Sequence, residues 1–167
     1  MKQIEIFIDA SWCLDGHARG QSGMVLKIHG NTIFFRTSRQ SIVTKSSTES
    51  EIVAVDEFLP YALWSLSLCE ELKMDIVRPI IVHQDNQSGV KTMEKGHGNF
   101  KRTKHFINKY FWIKQYVDDG TLVFHYLCAM KMIADIFTKQ IVGHMFFLLL
   151  YFIINPYYIG DGNLDPN

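Results

Sequence analysis

Cysteine is scarce in this sequence: three residues of 167, Cys13, Cys69 and Cys128, with no C-x-x-C pair. That scarcity excludes a disulfide framework and a cysteine zinc site, and points to reduced thiols in an intracellular protein. Net charge is lacking too, since 17 basic residues balance 17 acidic ones. The molecule as a whole has no field to gather a polyanion. No signal peptide is expected, because Met1 leads within three residues into a β-rich run. The one membrane-like stretch, Met145 to Ile154, is ten residues long, whereas a bilayer span needs roughly 20; it reads as a core helix or a sticky tail. Internal repeats and low-complexity linkers are missing as well. With 47% apolar and 20% charged residues, disorder is excluded and one domain with a real core is expected.

The stretch that is present and carries the most information is PIIVHQDNQSGV, residues 79 to 90. Ile80, Ile81 and Val82 form a β-branched run that reads as a buried strand, and it leads to Asp85. Sites in sheets with parallel strands gather outside the carboxyl ends of those strands. IEIFIDAS at the chain start is a second β-rich run that reaches an aspartate, Asp9.

In chain order the pattern predicts three antiparallel strands, Ile4 to Asp9, Met24 to Ile28 and Thr32 to Arg36, the last two joined by a His29-Gly30-Asn31 hairpin. A long helix begins near Ser46, where Ser46 with Glu49 and Thr48 with Glu51 both fit a capping box. Pro60 is expected to kink it unless a bend already lies there. Strand four follows, then a short helix from about Asn86 to Glu94. The stretch KRTKHFINKYFWIKQYVDDG reads as a helix closed by Gly120. A fifth strand, Leu122 to Leu127, and a helix from Lys131 to about Gln140 complete the pattern. The fold class is α/β, with a five-stranded mixed sheet, three antiparallel strands then two parallel, flanked by helices. Trp64, Phe106, Phe111 and Trp112 are expected in the core.

The two glutamates at the head of the long helix lie about 200° apart at roughly 100° per residue. Apolar residues Ala54, Val55, Phe58, Leu59 and Ala62 share the face of Glu51, while Asp56 and Glu57 share that of Glu49. Glu51 therefore tops the buried face, where a carboxylate is costly unless a cation compensates it. Taken singly, Asp9 and Asp85 are turn or cap residues, Glu51 a capping-box glutamate and Asp135 an acid near a helix start. Together the four form a carboxylate set without His or Cys, which suits hard ions such as Mg²⁺ or Mn²⁺. Lys131, four residues before Asp135, is expected beside it on one helical face and would repel an incoming ion. From Lys95 to Lys114 there are six Lys or Arg and no acid, a strip that either holds phosphates or is a solvated helix face.

IDASW, SSTESEIVA, HQDNQS, KRTKH followed by YFWIK, and MIADIFTK occur in this order. Together they resemble the ribonuclease H domain that closes the polyprotein of copia-type LTR retrotransposons, over about residues 4 to 146. The resemblance implies a ribonuclease H-like domain over 1–146 and a divergent apolar tail over 147–167. It implies endonucleolytic hydrolysis of the RNA strand of RNA–DNA hybrids with two Mg²⁺ ions, Mn²⁺ being possible. Asp9, Glu51, Asp85 and Asp135 match the family's catalytic and metal-holding acids. Lys101, Arg102, Thr103, Lys104 and His105, with Asn86 and Gln87, would contact the hybrid through groove shape, phosphates and 2′-hydroxyls. A reverse transcriptase domain of the parent polyprotein is an expected partner that this chain does not contain, no membrane is involved, and the location is intracellular, in cytoplasmic virus-like particles or the nucleus.

The sequence departs from the family at Cys128-Ala129-Met130-Lys131, where a Pro-Thr-acid stretch is usual, and at Gln140, where a proline usually follows TK. These departures keep a second function class open, a weak or inactive nucleic-acid-binding remnant. A third is another nuclease or integrase of the same fold. His105 reads as a surface histidine.

Overall fold

The computed structural model describes residues 2–12, 19–95 and 104–156. Five strands form one sheet: β1 (Lys2–Ser11), β2 (Gln21–Ile28), β3 (Asn31–Arg39), β4 (Ile76–Gln84) and β5 (Leu122–Tyr126). Their order across the sheet is β3-β2-β1-β4-β5. β1, β2 and β3 pair antiparallel, and β4 joins β1 and β5 in parallel. The expected mixed sheet is the observed one. His29 and Gly30, between β2 and β3, both have positive φ, as a two-residue hairpin turn with the sheet's own twist requires.

Four α-helices flank the sheet: α1 (Ser47–Glu71), α2 (Gln87–Lys95), α3 (Lys104–Asp118) and α4 (His144–Ile154). Alternation along β1 decides which layer each residue meets. Ile4, Ile6 and Ile8 point to α1 and pack with Ile52, Val55, Phe58 and Leu59; each fully buried side chain of this size contributes about 1.5–3 kcal/mol. Phe7 points the other way and packs with Val25, Leu149, Phe152 and Ile153. Among the described residues α1 is the one helix long and apolar enough to cross a membrane, but 56% of its apolar window is buried against the sheet and α3. It is the core helix of the domain. It runs through Pro60 as one element of 25 residues.

Three expectations need correction. Residues 131 to 140 are not an α-helix: two 3-10 turns, Ala129–Lys131 and Ile133–Phe137, are separated by Met132, whose ψ of 89° is far from helical. The boundary placed after Phe146 falls inside α4, whose Leu149, Phe152 and Ile153 complete the second core layer. Lys27 of β2 and Thr32 of β3 donate hydrogen bonds to the Phe152 and Ile153 carbonyls, tying the end of that helix to the sheet. Finally, Trp64 and Phe111 are 65% and 63% exposed. Trp112 packs partly buried against the main core, and the side chain of Phe106 lies outside the described residues.

Candidate metal centre

Three elements deliver three carboxylates to one point. Asp9 lies two residues inside the end of β1, Asp85 directly follows β4, and Glu51 stands on the first turns of α1. The parallel pairing of β1 and β4 brings the first two together at the carboxyl ends of neighbouring strands. Oxygens of Asp9, Glu51 and Asp85 lie within 4.8 Å of one another. The helix phase of Glu51 is as its sequence suggests: it is 3% exposed. Ser46 is the N-cap, accepting from the Glu49 N–H at 3.2 Å, and Glu49 Oε2 accepts from the Lys45 N–H at 2.6 Å. Thr48 is therefore not the cap, and Glu51 is free of capping duty.

Asp135 is not one of the three that converge; it lies alongside, on the second 3-10 turn over β2, and is linked to Asp9 through Lys139. Gly23 makes that approach feasible. It pairs with Asp9 across β1 and β2, and a Cβ there would sit 2.8 Å from Phe137 Cβ and Thr138 Cγ2. The next two residues complete the site. Thr138 donates its hydroxyl to Asp9 Oδ2. Lys139 Nζ lies 2.8 Å from Asp135 Oδ1 and 3.4 Å from both Asp9 Oδ1 and Asp85 Oδ2. The sequence pattern does not mark Thr138 and Lys139 as site residues; the signal it carries is a cation four residues after Asp135. Lys131, the cation expected beside Asp135, pairs with none of the four acids among the described residues, because the break at Met132 ends the helical spacing that the pairing needs.

The electrostatics of the cluster follow from burial and like charge. Burial pushes the Glu51 carboxyl well above its usual range, and Asp9 and Asp85 push it further. Asp9 is raised by burial, against the pull of Lys139 and Thr138. Asp135 is raised to about 7, by burial first and by Asp9 next, with Lys139 opposing. Burial works to lower Lys139, yet Asp9, Asp135 and Asp85 together lift it above its ordinary value. Glu51 Oε2 is buried without a hydrogen-bond partner. Such an oxygen is costly unless a cation meets it. An all-carboxylate donor set with an orphaned buried oxygen fits a hard divalent ion.

The nucleic-acid residues expected from the sequence are only partly described. Lys101, Arg102 and Thr103 lie outside the described residues, as do the side chains of Lys104 and His105. Asn86 caps α2, its Oδ1 accepting from the Gly89 N–H at 3.0 Å. Gln87 is exposed beside Asp85 and lines a 270 Å³ groove with Lys91, Glu94 and Tyr126.

Acids at the ends of β1 and β4 and on the head of α1, in a sheet of order β3-β2-β1-β4-β5, define the protein as a ribonuclease H fold. An RNase H1 isolated from compost by a metagenomic approach superposes with a TM-score of 0.59 at 20% identity, covering 83% of this chain and 94% of that one. The LC11 RNase H1 solved in complex with an RNA/DNA hybrid gives 0.57 at 20% identity, over 81% and 94%. The N-terminal RNase H domain of a Mycobacterium tuberculosis protein gives 0.57 at 12% identity, over 83% and 91%.

In sequence the chain is similar to retrotransposon polyproteins, and copia-type elements fit that likeness. It is 28% identical over 128 residues to the retrovirus-related Pol polyprotein from transposon TNT 1-94 of Nicotiana tabacum, covering 77% of this chain and 10% of that one. It is also 28% identical over 142 residues to the Ty1-NL2 Gag-Pol polyprotein of Saccharomyces cerevisiae, covering 84% and 8%. The chain thus spans about a tenth of the length of the curated relatives it matches. No family model matches it.

Proposed function

We propose that this chain hydrolyses the RNA strand of RNA–DNA hybrids, within the reverse-transcription machinery of a copia-type retrotransposon. The observation that carries the reading is the convergence of Asp9, Glu51 and Asp85, with Asp135 alongside and Glu51 Oε2 orphaned. The ribonuclease H fold, shared with a protein solved on an RNA/DNA hybrid, supports the substrate class.

Asp9, Glu51 and Asp85 would hold one divalent ion, and Asp9 with Asp135 a second, Mg²⁺ or Mn²⁺. Such ions supply an activated water and charge stabilisation at the leaving oxygen of a phosphodiester. The protein's own part is orientation. β1 and β4 hold Asp9 and Asp85 rigidly at strand ends, and the Thr138 hydroxyl fixes the rotamer of Asp9. Burial of Glu51 behind the cluster excludes water from that side. The exposed Gln87 and the basic segment Lys101 to His105 would bind the hybrid by backbone and 2′-hydroxyl contacts, without reading base sequence. The reverse transcriptase segment of such a polyprotein is the proposed partner, in a cytoplasmic particle or the nucleus.

The test is degradation of labelled substrates by the purified chain in Mg²⁺. Hybrid RNA should be cut into short products and single-stranded RNA spared, and Asp85→Asn should abolish cutting while the circular dichroism spectrum is kept. Hybrid binding without cutting in the natural chain would instead establish the remnant reading, which the unusual Cys128–Lys131 stretch favours.

A further inference from the structure

Lys139 is the cation that pairs with this acid cluster among the described residues. Its ammonium is tied to Asp135 at 2.8 Å and suspended between Asp9 and Asp85 at 3.4 Å each. We infer that Lys139 is a built-in cation of the site, seated among the carboxylates when divalent ions are away and displaced outward when they bind. The inference rests on the metal reading above and adds a competitor to it.

Three features support the exchange. The first is a shared carboxylate. Asp9 accepts from the Thr138 hydroxyl at Oδ2 and faces Lys139 with Oδ1, and the same carboxylate belongs to the group that would hold an ion. Ammonium and metal therefore contend for one side chain. The second is charge. Asp9, Glu51 and Asp85 gathered at one point, with Asp135 alongside, repel one another, and Asp9, Asp85 and Asp135 have Lys139 as their cation; a divalent ion makes that service redundant. The third is freedom to leave. The Lys139 side chain is 39% exposed while Asp9 and Asp135 are 1% and 8%, so the flexible stem can swing its charge into water at little cost. Once outside, the ammonium stands at the rim of the cluster, where a substrate phosphate would arrive.

Calorimetric titration of Mg²⁺ into chelator-stripped full chain, natural and Lys139→Met, tests this directly. Removing a partly exposed ion pair should tighten Mg²⁺ binding about fivefold. In chelator the variant should melt below the natural chain, with the gap closing as Mg²⁺ is added. The natural chain supplies an independent readout: the nuclear magnetic resonance signals of the Lys139 Cε methylene should shift as Mg²⁺ binds. Unchanged or weaker Mg²⁺ affinity in the variant, or an unmoved methylene signal while Mg²⁺ binds, overturns the displacement and leaves the metal reading standing. Absence of Mg²⁺ binding by either protein overturns both.

Discussion

Asp9 has two carboxylate oxygens and more claimants than it can serve equally. Thr138 holds one, Lys139 faces the other, and an ion would have to share what remains. Thr138→Val should free Oδ2 and loosen the rotamer. Groups that orient a metal-holding side chain typically contribute 10–100-fold in metal affinity or activity, so Mg²⁺ affinity, read by calorimetry, should fall by about tenfold. Asp135 leads to a second prediction, about pH. Its carboxyl titrates near 7 in the folded chain against 3.8 when free of the fold. The folded state therefore binds the proton more tightly, and its contribution to stability is lost as pH rises through about 7. In chelator, Asp135→Asn should gain melting temperature relative to the natural chain between pH 5 and pH 8. His83, lowered by burial, slopes the other way, losing stability as pH falls below about 6.5, so the comparison must be made against the variant at each pH. A constant difference across that range would mean that Asp135 is not raised.

At the scale of elements, α1 does two jobs at its first turn. Glu49 and Ser46 close the helix end, and Glu51, two residues on, turns inward to the cluster. The predicted ranking follows from that division. Glu51→Gln should remove hybrid cleavage, whereas Glu49→Gln should retain it and cost about 1 kcal/mol of stability through the weakened cap. The reverse ranking in a cleavage assay would show that the two glutamates exchange roles. The 3-10 turn bearing Asp135 depends on its neighbours more than on its own propensity. Five residues of 3-10 geometry are weak by themselves, and this turn is held by the flat surface that Gly23 leaves on β2.

For the whole molecule, the sheet is covered on both sides, by α1 on one and by α4 with the 3-10 turns on the other. The second layer is thin, so its members count heavily. Phe152 is 7% exposed and packs with Phe7 and Val25 across β1 and β2. Phe152→Ala should cost about 3–5 kcal/mol, measurable as a lower urea midpoint, and this is a large part of the 5–15 kcal/mol of a typical domain. A loss below about 1 kcal/mol would mean that α4 is dispensable to the fold.

What the sequence determined by itself was local and periodic. Alternation in IEIFIDAS, the HGN turn, the capping box and the phase of Glu51 all depend on residues within one or two turns of each other. They were legible because strand and helix geometry fixes which neighbours share a face. The gathering of Asp9, Glu51 and Asp85 followed from those elements once the strands paired. Which cation meets Asp135 did not. Lys131 and Lys139 are both four residues away, and the break at Met132 together with the seat on Gly23 selected Lys139. The same holds for α4, whose apolar run fits a sticky tail and a core helix equally well. Only the open side of the sheet beside Phe7 and Val25 decided that it is core, because burial is a property of what lies opposite a residue and not of the residue itself.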